Sequence, residues 1–169
     1  MTDAYKVTER AIGPVIEIEE HAPVWRMPGI FGRDYTRIAE YVSSQGAEIV
    51  GMPYARYVDM DWEAELTRGK LSGFISMFTK TWHFYVGMPT SKLLPAQDQL
   101  KSNELTSRRY AQAIHRGPYQ ESSRTYIALN DWAVANGLQM TNEAFEFYLN
   151  DPQEVDKADI ETEILIPLE

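Results

Sequence analysis

The interval along the chain from Gly46 to Tyr57 is the same as that from Gly137 to Tyr148. Each glycine closes a stretch with helical periodicity. In the first, Tyr35, Ile38, Ala39 and Val42 recur at i, i+3, i+4 and i+7, which predicts a helix over 34–45 with Gly46 in the left-handed stop position. In the second, Tyr126, Leu129 and Ala133 share one stripe over 123–136, closed by Gly137. A strand is expected after each turn, over 54–58 and over 145–149 (FEFYL). Each half then ends on a strand running into proline, HFYVGMP at Pro89 and TEILIP at Pro167. Ahead of the first helix, PVIEIEE sets Ile16 and Ile18 against Glu17 and Glu19, the period of two of a strand with one wet face.

The order strand, helix, strand, strand is therefore written twice, over about 14–90 and about 108–169. The stretch from Tyr57 to Pro89 is longer than that from Tyr148 to Pro167, so the first half carries an insertion, placed within 62–81. One such unit cannot cover both its helix and its sheet. Two units solve the problem by joining their strands. The expected fold is α+β: a tandem pseudo-twofold repeat in a single domain over 1–169, with one antiparallel sheet, helices on one face and a ligand groove on the other. Alternation in FEFYL is read with Phe145, Phe147 and Leu149 toward the helices, which sends Glu146 and Tyr148 to the groove side. Tyr57 takes the place of Tyr148 by the repeat. Ile164 and Ile166 are read toward the helices, and Glu163, Tyr85 and His83 away from them.

The formal net charge of −9 repels phosphate backbones, which argues against direct nucleic-acid binding and favours cationic partners. Solubility alone is the other account of that charge. The chain has no cysteine, which excludes disulfides and thiolate chemistry and fits a reducing cytoplasm. No apolar run approaches the roughly 20 residues of a membrane span. His21, His83 and His115 lack the paired spacing of metal ligands, and no nucleotide-binding glycine pattern occurs, so neither metal nor cofactor is expected.

The second half carries His115-x-Gly117-Pro118-Tyr119, the helix closed by Gly137, Glu146-x-Tyr148-Leu149, Asp151-Pro152 and Thr162-x-Ile164-x-Ile166-Pro167. In this it resembles the GyrI-like effector-binding family, which includes the ligand-binding domains of BmrR-type and Rob-type transcription regulators and stand-alone gyrase-inhibitory proteins. The first half is similar more loosely, through Pro53, Ala55-Arg56-Tyr57 and the strand ending at Pro89. The resemblance implies a two-unit fold that binds hydrophobic, often cationic drugs between its halves, with a glutamate at the position of Glu146 facing the ligand among tyrosines. With the first repeat strand starting near Pro14, a stand-alone member is expected. The insertion departs from the pattern.

Glu146, flanked by Phe145, Phe147, Tyr148 and Leu149, is the sharpest candidate for a ligand contact. A carboxylate 4 Å from a cation gains about 4 kcal/mol at an effective dielectric near 20. A solvated sheet glutamate is the alternative. Tyr57, Tyr148 and Tyr85 are candidate walls, each contact contributing roughly 0.5–2 kcal/mol, or simply good strand residues. His83, Trp82 and Trp62 complete the ligand-binding set, with core packing as the other reading for the tryptophans. Leu71, Phe74, Ile75 and Phe78 have the spacing of a short amphipathic helix, read as a lid, a partner surface or a helix on its own domain. His115 is read as a structural hydrogen bond in the turn before Gly117. Three functions follow. The first is a sensor or sequestering protein for small amphipathic organic cations or polyaromatic compounds. The second is a hydrolase opening strained electrophilic rings, with Glu146 activating water beside Tyr148. The third is a gyrase-type protein-partner inhibitor, the partner being another protein or, in a homodimer, a second copy of the chain.

Overall fold

A computed structural model describes residues 5–67 and 79–169. The regular elements are β1 Tyr5–Arg10, β2 Gly13–Ala22, α1 Met27–Ser44, β3 Tyr54–Tyr57, α2 Trp62–Thr67, β4 Trp82–Pro89, β5 Leu100–Leu105, β6 Arg108–Arg116, α3 Ser122–Ala135, β7 Ala144–Tyr148 and β8 Glu161–Pro167. The strands form one eight-stranded antiparallel sheet in the order β1-β6-β8-β7-β3-β4-β2-β5. β3 and β7 lie side by side at its centre. Each edge strand leads into one inner strand yet pairs with another: β1 precedes β2 and pairs with β6, and β5 precedes β6 and pairs with β2. Neither edge strand is anticipated by the sequence, since YKVTER and LKSNEL bury too little apolar surface to show a clear period. The proposed helix around Leu71, Phe74, Ile75 and Phe78 lies outside the described residues.

α1 and α3 end with the same backbone device. Gly46 and Gly137 take φ of +64° and +65°. The amide of the residue after each glycine bonds back to the last turn, Ala47 to the Val42 carbonyl at 3.1 Å and Leu138 to the Ala133 carbonyl at 2.9 Å. Only glycine adopts this left-handed position without strain, so both residues stop their helices as the sequence predicts. At its start α1 differs from expectation, beginning at Met27 rather than near 34. Pro28 falls in the first turn, where its missing N–H loses no bond. Burial of Met27 and Ile30, with Phe31 edge-on to Phe84 at 5.9 Å, outweighs the weak helix propensity of Gly29 and Gly32.

Strand register fixes the two faces. Ile18, Val86, Ala55, Glu146, Ile164 and Ala113 are successive cross-strand partners and therefore share one face. α1 packs on this face over Ile16, Ile18, Phe84 and Val86, and α3 packs on it over Ala111, Ala113, Ala144, Ile164 and Ile166. Ile164 and Ile166 thus face the helices as read from the sequence.

Phe145, Phe147 and Leu149 do not. They pack with Val15, Tyr54, Tyr110 and Leu165 in a second core on the far face, and Glu146 and Tyr148 point toward the helices. Period-two alternation separates two faces without saying which is which, and here both are buried. The larger apolar residues went to the side without helices.

Candidate ligand-binding site

Among the described residues, the buried carboxylates Glu17, Asp34 and Glu163 are paired with arginine, and the half-buried Glu146 is not. Glu17, 1% exposed, accepts two bonds from Arg56 at 2.9 and 2.8 Å and one from the Tyr54 hydroxyl at 2.8 Å. Glu163, 8% exposed, accepts from Arg10 at 3.2 and 3.0 Å and from Gln112 at 2.7 Å. Glu146 is held by tyrosines instead. Its Oε1 accepts from the Tyr126 hydroxyl at 2.8 Å and its Oε2 from the Tyr148 hydroxyl at 3.2 Å. Among the described residues no lysine or arginine pairs with it.

The surroundings of Glu146 are aromatic. Tyr148 meets Phe31 of α1 at 5.8 Å and Tyr119 edge-on at 5.6 Å. Tyr126 of α3 is stacked on Trp62 of α2 at 5.8 Å. Tyr57 packs edge-on against Trp82 at 6.0 Å and on Phe84 at 5.9 Å. Glu146, Tyr57, Tyr126 and Tyr148 each keep part of their surface accessible although protein packs densely round them. These side chains, enveloped yet part-accessible, make up the candidate cleft, with Phe31 of α1 against Tyr148 and Tyr126 of α3 against Glu146.

Electrostatics follow from that envelope. Burial raises the Glu146 pKa, opposed by the hydrogen bonds from Tyr126 and Tyr148. The hydroxyls of Tyr57, Tyr126 and Tyr148 are pushed well above the usual tyrosine value, first by burial and further by the charge on Glu146. They remain neutral donors while Glu146 is the group that ionises. Such a cleft offers negative charge and π faces, which suits a large, weakly hydrated cation.

The structure brings five of the seven sequence candidates to the helix face: Glu146, Tyr148, Tyr57, Trp82 and Trp62. Tyr85 and His83 lie across the sheet, so one groove does not hold all seven. There the Tyr85 hydroxyl donates to Glu19 at 3.1 Å, and His83 contacts Glu19 at 2.8 Å and Asp59 at 2.9 Å. The cause is again the face assignment, since alternate residues of β4 leave on opposite sides. His115 is buried and bonded to Thr125 at 2.8 Å and to the Pro118 carbonyl at 3.0 Å, a structural role in the turn before Gly117.

Four cleft residues escape the sequence reading: Phe31, Tyr35, Tyr119 and Tyr126. A signal for two of them was present. Tyr35 precedes Gly46 by the interval at which Tyr126 precedes Gly137, so tyrosine, glycine and tyrosine recur at equal spacing in both halves. Each helical tyrosine heads a stripe that otherwise reads as core.

Two cavities flank these features. One of about 510 Å³ opens beside Tyr119, lined also by Pro118, Gln120, Pro152, Lys157 and Ile160, and is the size of a small-molecule site. The other, about 330 Å³, lies on the far face over Phe147, Leu149 and Pro89. Its carboxylate is Glu163, already neutralised by Arg10. The chemistry therefore favours the helix face.

Residues 70–169 match the family profile of the GyrI-like small molecule binding domain. The chain belongs to this family. Solved structures of the same fold include EcmrR, whose complex with DNA superimposes with a TM-score of 0.73 at 18% identity over 98% of this chain. The present chain spans 58% of that EcmrR chain, and 98% of the isolated EcmrR C-terminal domain at a TM-score of 0.67 and the same identity. SAV2435 bound to tetraphenylphosphonium shares 13% identity at a TM-score of 0.57, covering 98% of this chain and 93% of the other. A hydrolase from Listeria innocua shares 12% identity at a TM-score of 0.59, covering 97% and 92%. At these identities the likeness is one of fold. No curated protein matches the sequence.

A GyrI-like domain is a small-molecule binding domain, and this one places its unpaired carboxylate among aromatic rings. Among the described residues no helix is long and apolar enough to cross a membrane, and no cluster of three or more His, Asp and Glu is arranged to hold a metal ion.

Proposed function

We propose that this GyrI-like domain binds hydrophobic organic cations or polyaromatic compounds in the cleft round Glu146, as a multidrug-type sensor or sequestering protein of the cytoplasm. The observation that carries the reading is the pairing of the carboxylates: Glu17 and Glu163 have arginines, whereas Glu146 has only tyrosine hydroxyls. A ligand cation supplies what the fold withholds. The ligand contacts are Glu146, Tyr148 and Tyr57, with Tyr126, Phe31, Trp82 and Trp62 as walls. In this reading the chain is one domain of two equivalent halves, about 14–90 and 108–169, with the cleft where they meet. SAV2435, a structural neighbour, was solved with tetraphenylphosphonium bound, which supports the choice of ligand class.

Titration of tryptophan fluorescence with tetraphenylphosphonium tests the proposal, because Trp62 and Trp82 border the cleft. Saturable binding that weakens tenfold or more in Glu146→Gln, about 1.4 kcal/mol, is expected. Equal binding by wild type and variant, or preference for a neutral ring of equal size, rejects it.

One observation favours a second reading. A glutamate with a raised pKa in a cleft has the poise of a general base, and a hydrolase has the same fold. Turnover of a strained electrophilic ring to its hydrolysed product, lost in Glu146→Gln, separates catalysis from binding.

A further inference from the structure

Several tyrosine hydroxyls packed into this protein donate hydrogen bonds. Tyr54 donates to Glu17, Tyr41 to the Pro95 carbonyl, and Tyr126 and Tyr148 to Glu146. Tyr35 does not: among the described residues its hydroxyl oxygen is buried with no hydrogen-bond partner. A buried hydroxyl left unpaired is unfavourable, and phenylalanine fills the same volume without that penalty. Folding alone gives no reason for the oxygen.

Its position supplies one. Tyr35 lies one helical turn after Phe31 on α1, with ring centroids 5.9 Å apart, and Phe31 in turn contacts Tyr148. Burial raises the Tyr35 pKa, and the next contributions come from Glu146 and Tyr119, which places the hydroxyl within the field of the cleft. Each Glu146 oxygen has its own tyrosine donor, and the Tyr35 hydroxyl bonds to neither. A tetraaryl or tetraalkyl cation offers it no lone pair either.

The geometry points to a two-point ligand: an organic cation that also carries a neutral hydrogen-bond acceptor, such as an ether, carbonyl or hydroxyl oxygen, with its charge at Glu146 and its acceptor on the Tyr35 hydroxyl. This rests on the cleft being a cation site and adds to it a specificity-determining residue. Tyr35 discriminates among cations; Glu146 recognises the charge. Phosphonium salts isolate the effect, because they have no N–H to donate to the tyrosine oxygen.

The experiment compares alkyl-triphenylphosphonium salts with methoxyalkyl counterparts of equal chain length, the ether oxygen two to four carbons from phosphorus, on wild type and Tyr35→Phe. At one chain length or more, the ether should bind wild type about three- to tenfold more tightly than its alkyl match, the range of one neutral hydrogen bond. Tyr35→Phe should abolish that difference. Its melting temperature in the absence of salt should equal or exceed that of wild type. Equal affinity of ether and alkyl salts across the series, equal weakening of both in Tyr35→Phe, or a lower melting temperature for that variant overturns the assignment. If no phosphonium salt binds wild type, the cation reading itself fails, which is a different result from binding without discrimination.

Discussion

Ala55 lies directly across the β3–β7 ladder from Glu146. Their separation along the chain equals that of Gly46 from Gly137, Tyr57 from Tyr148 and Tyr35 from Tyr126. Glu146 is therefore paired with the residue that precedes it by the same interval as separates those glycines and tyrosines. Side chains directly opposed across antiparallel strands have Cβ atoms about 5 Å apart. Two glutamates there would raise each other's pKa and ionise poorly. Alanine at 55 leaves one charge at this point of the ladder, held by Tyr126 and Tyr148.

Glu146→Gln should stabilise the unliganded protein at neutral pH. The folded-state pKa of Glu146 is raised, so the folded protein holds its proton more tightly than the unfolded chain does. Below the unfolded value, about 4.3, both states are protonated and the group is neutral in the balance. As pH rises from there through the folded pKa, ionisation destabilises the fold. The stability difference between Glu146→Gln and wild type, measured by urea denaturation, should be small near pH 4 and grow toward pH 8. A difference that shrinks over that range rejects the sign of the shift.

Affinity for tetraphenylphosphonium should fall as pH drops through the raised Glu146 pKa, since protonation removes the charge that attracts the cation. The phosphonium does not titrate, so the profile reports the protein alone. Glu146→Gln should give a flat profile over the same range. A flat wild-type profile between pH 4 and 8 would place the responsible charge elsewhere.

Much of this architecture is legible in the sequence, and the illegible part has a definite cause. The helix stops at Gly46 and Gly137 follow from backbone sterics, which act locally, and the strands over Trp82–Pro89 and Glu161–Pro167 follow from composition. What local pattern does not carry is the side of the sheet. Alternation in AFEFY is equally consistent with phenylalanines toward the helices or away from them, and the far-face core of Tyr54, Tyr110 and Leu165 decides it. Placement of Tyr85 and His83 beside Glu146 fails for that one reason. Tyr126 is visible only as the head of a core stripe, because a tyrosine that donates to a carboxylate and one that packs inertly occupy the same periodic position.

Glu19 should titrate far below an ordinary glutamate. Its pKa drops from 4.5 to about 2, chiefly through the hydrogen bond from Lys101, then that from His83, with a smaller one from Tyr85. A depressed folded pKa contributes stability above the unfolded value and loses it as pH falls from about 4.5 toward 2. Lys101→Met should shift the Glu19 carboxyl titration upward in carbon-detected NMR and narrow that acid window. The pair is solvent-exposed, so high salt should produce part of the same shift in wild type.

Arg56→Met should be among the most damaging conservative-volume changes outside the cleft. Arg56 is largely buried, stacked over the Tyr85 ring at 4.1 Å, and bidentate to Glu17, which itself is 1% exposed. Removing the guanidinium leaves a buried carboxylate with one donor, the Tyr54 hydroxyl, and losses of this kind reach about 3–5 kcal/mol. The Tyr54 ring packs against the β4 backbone at Gly87, where an added Cβ would fall 2.4 Å from the ring. Replacing both residues together, Glu17→Gln with Arg56→Met, should cost less than Arg56→Met alone. Denaturation midpoints of wild type, Arg56→Met and the double variant settle the point, and a double variant less stable than the single one would show that the arginine acts by packing rather than by pairing.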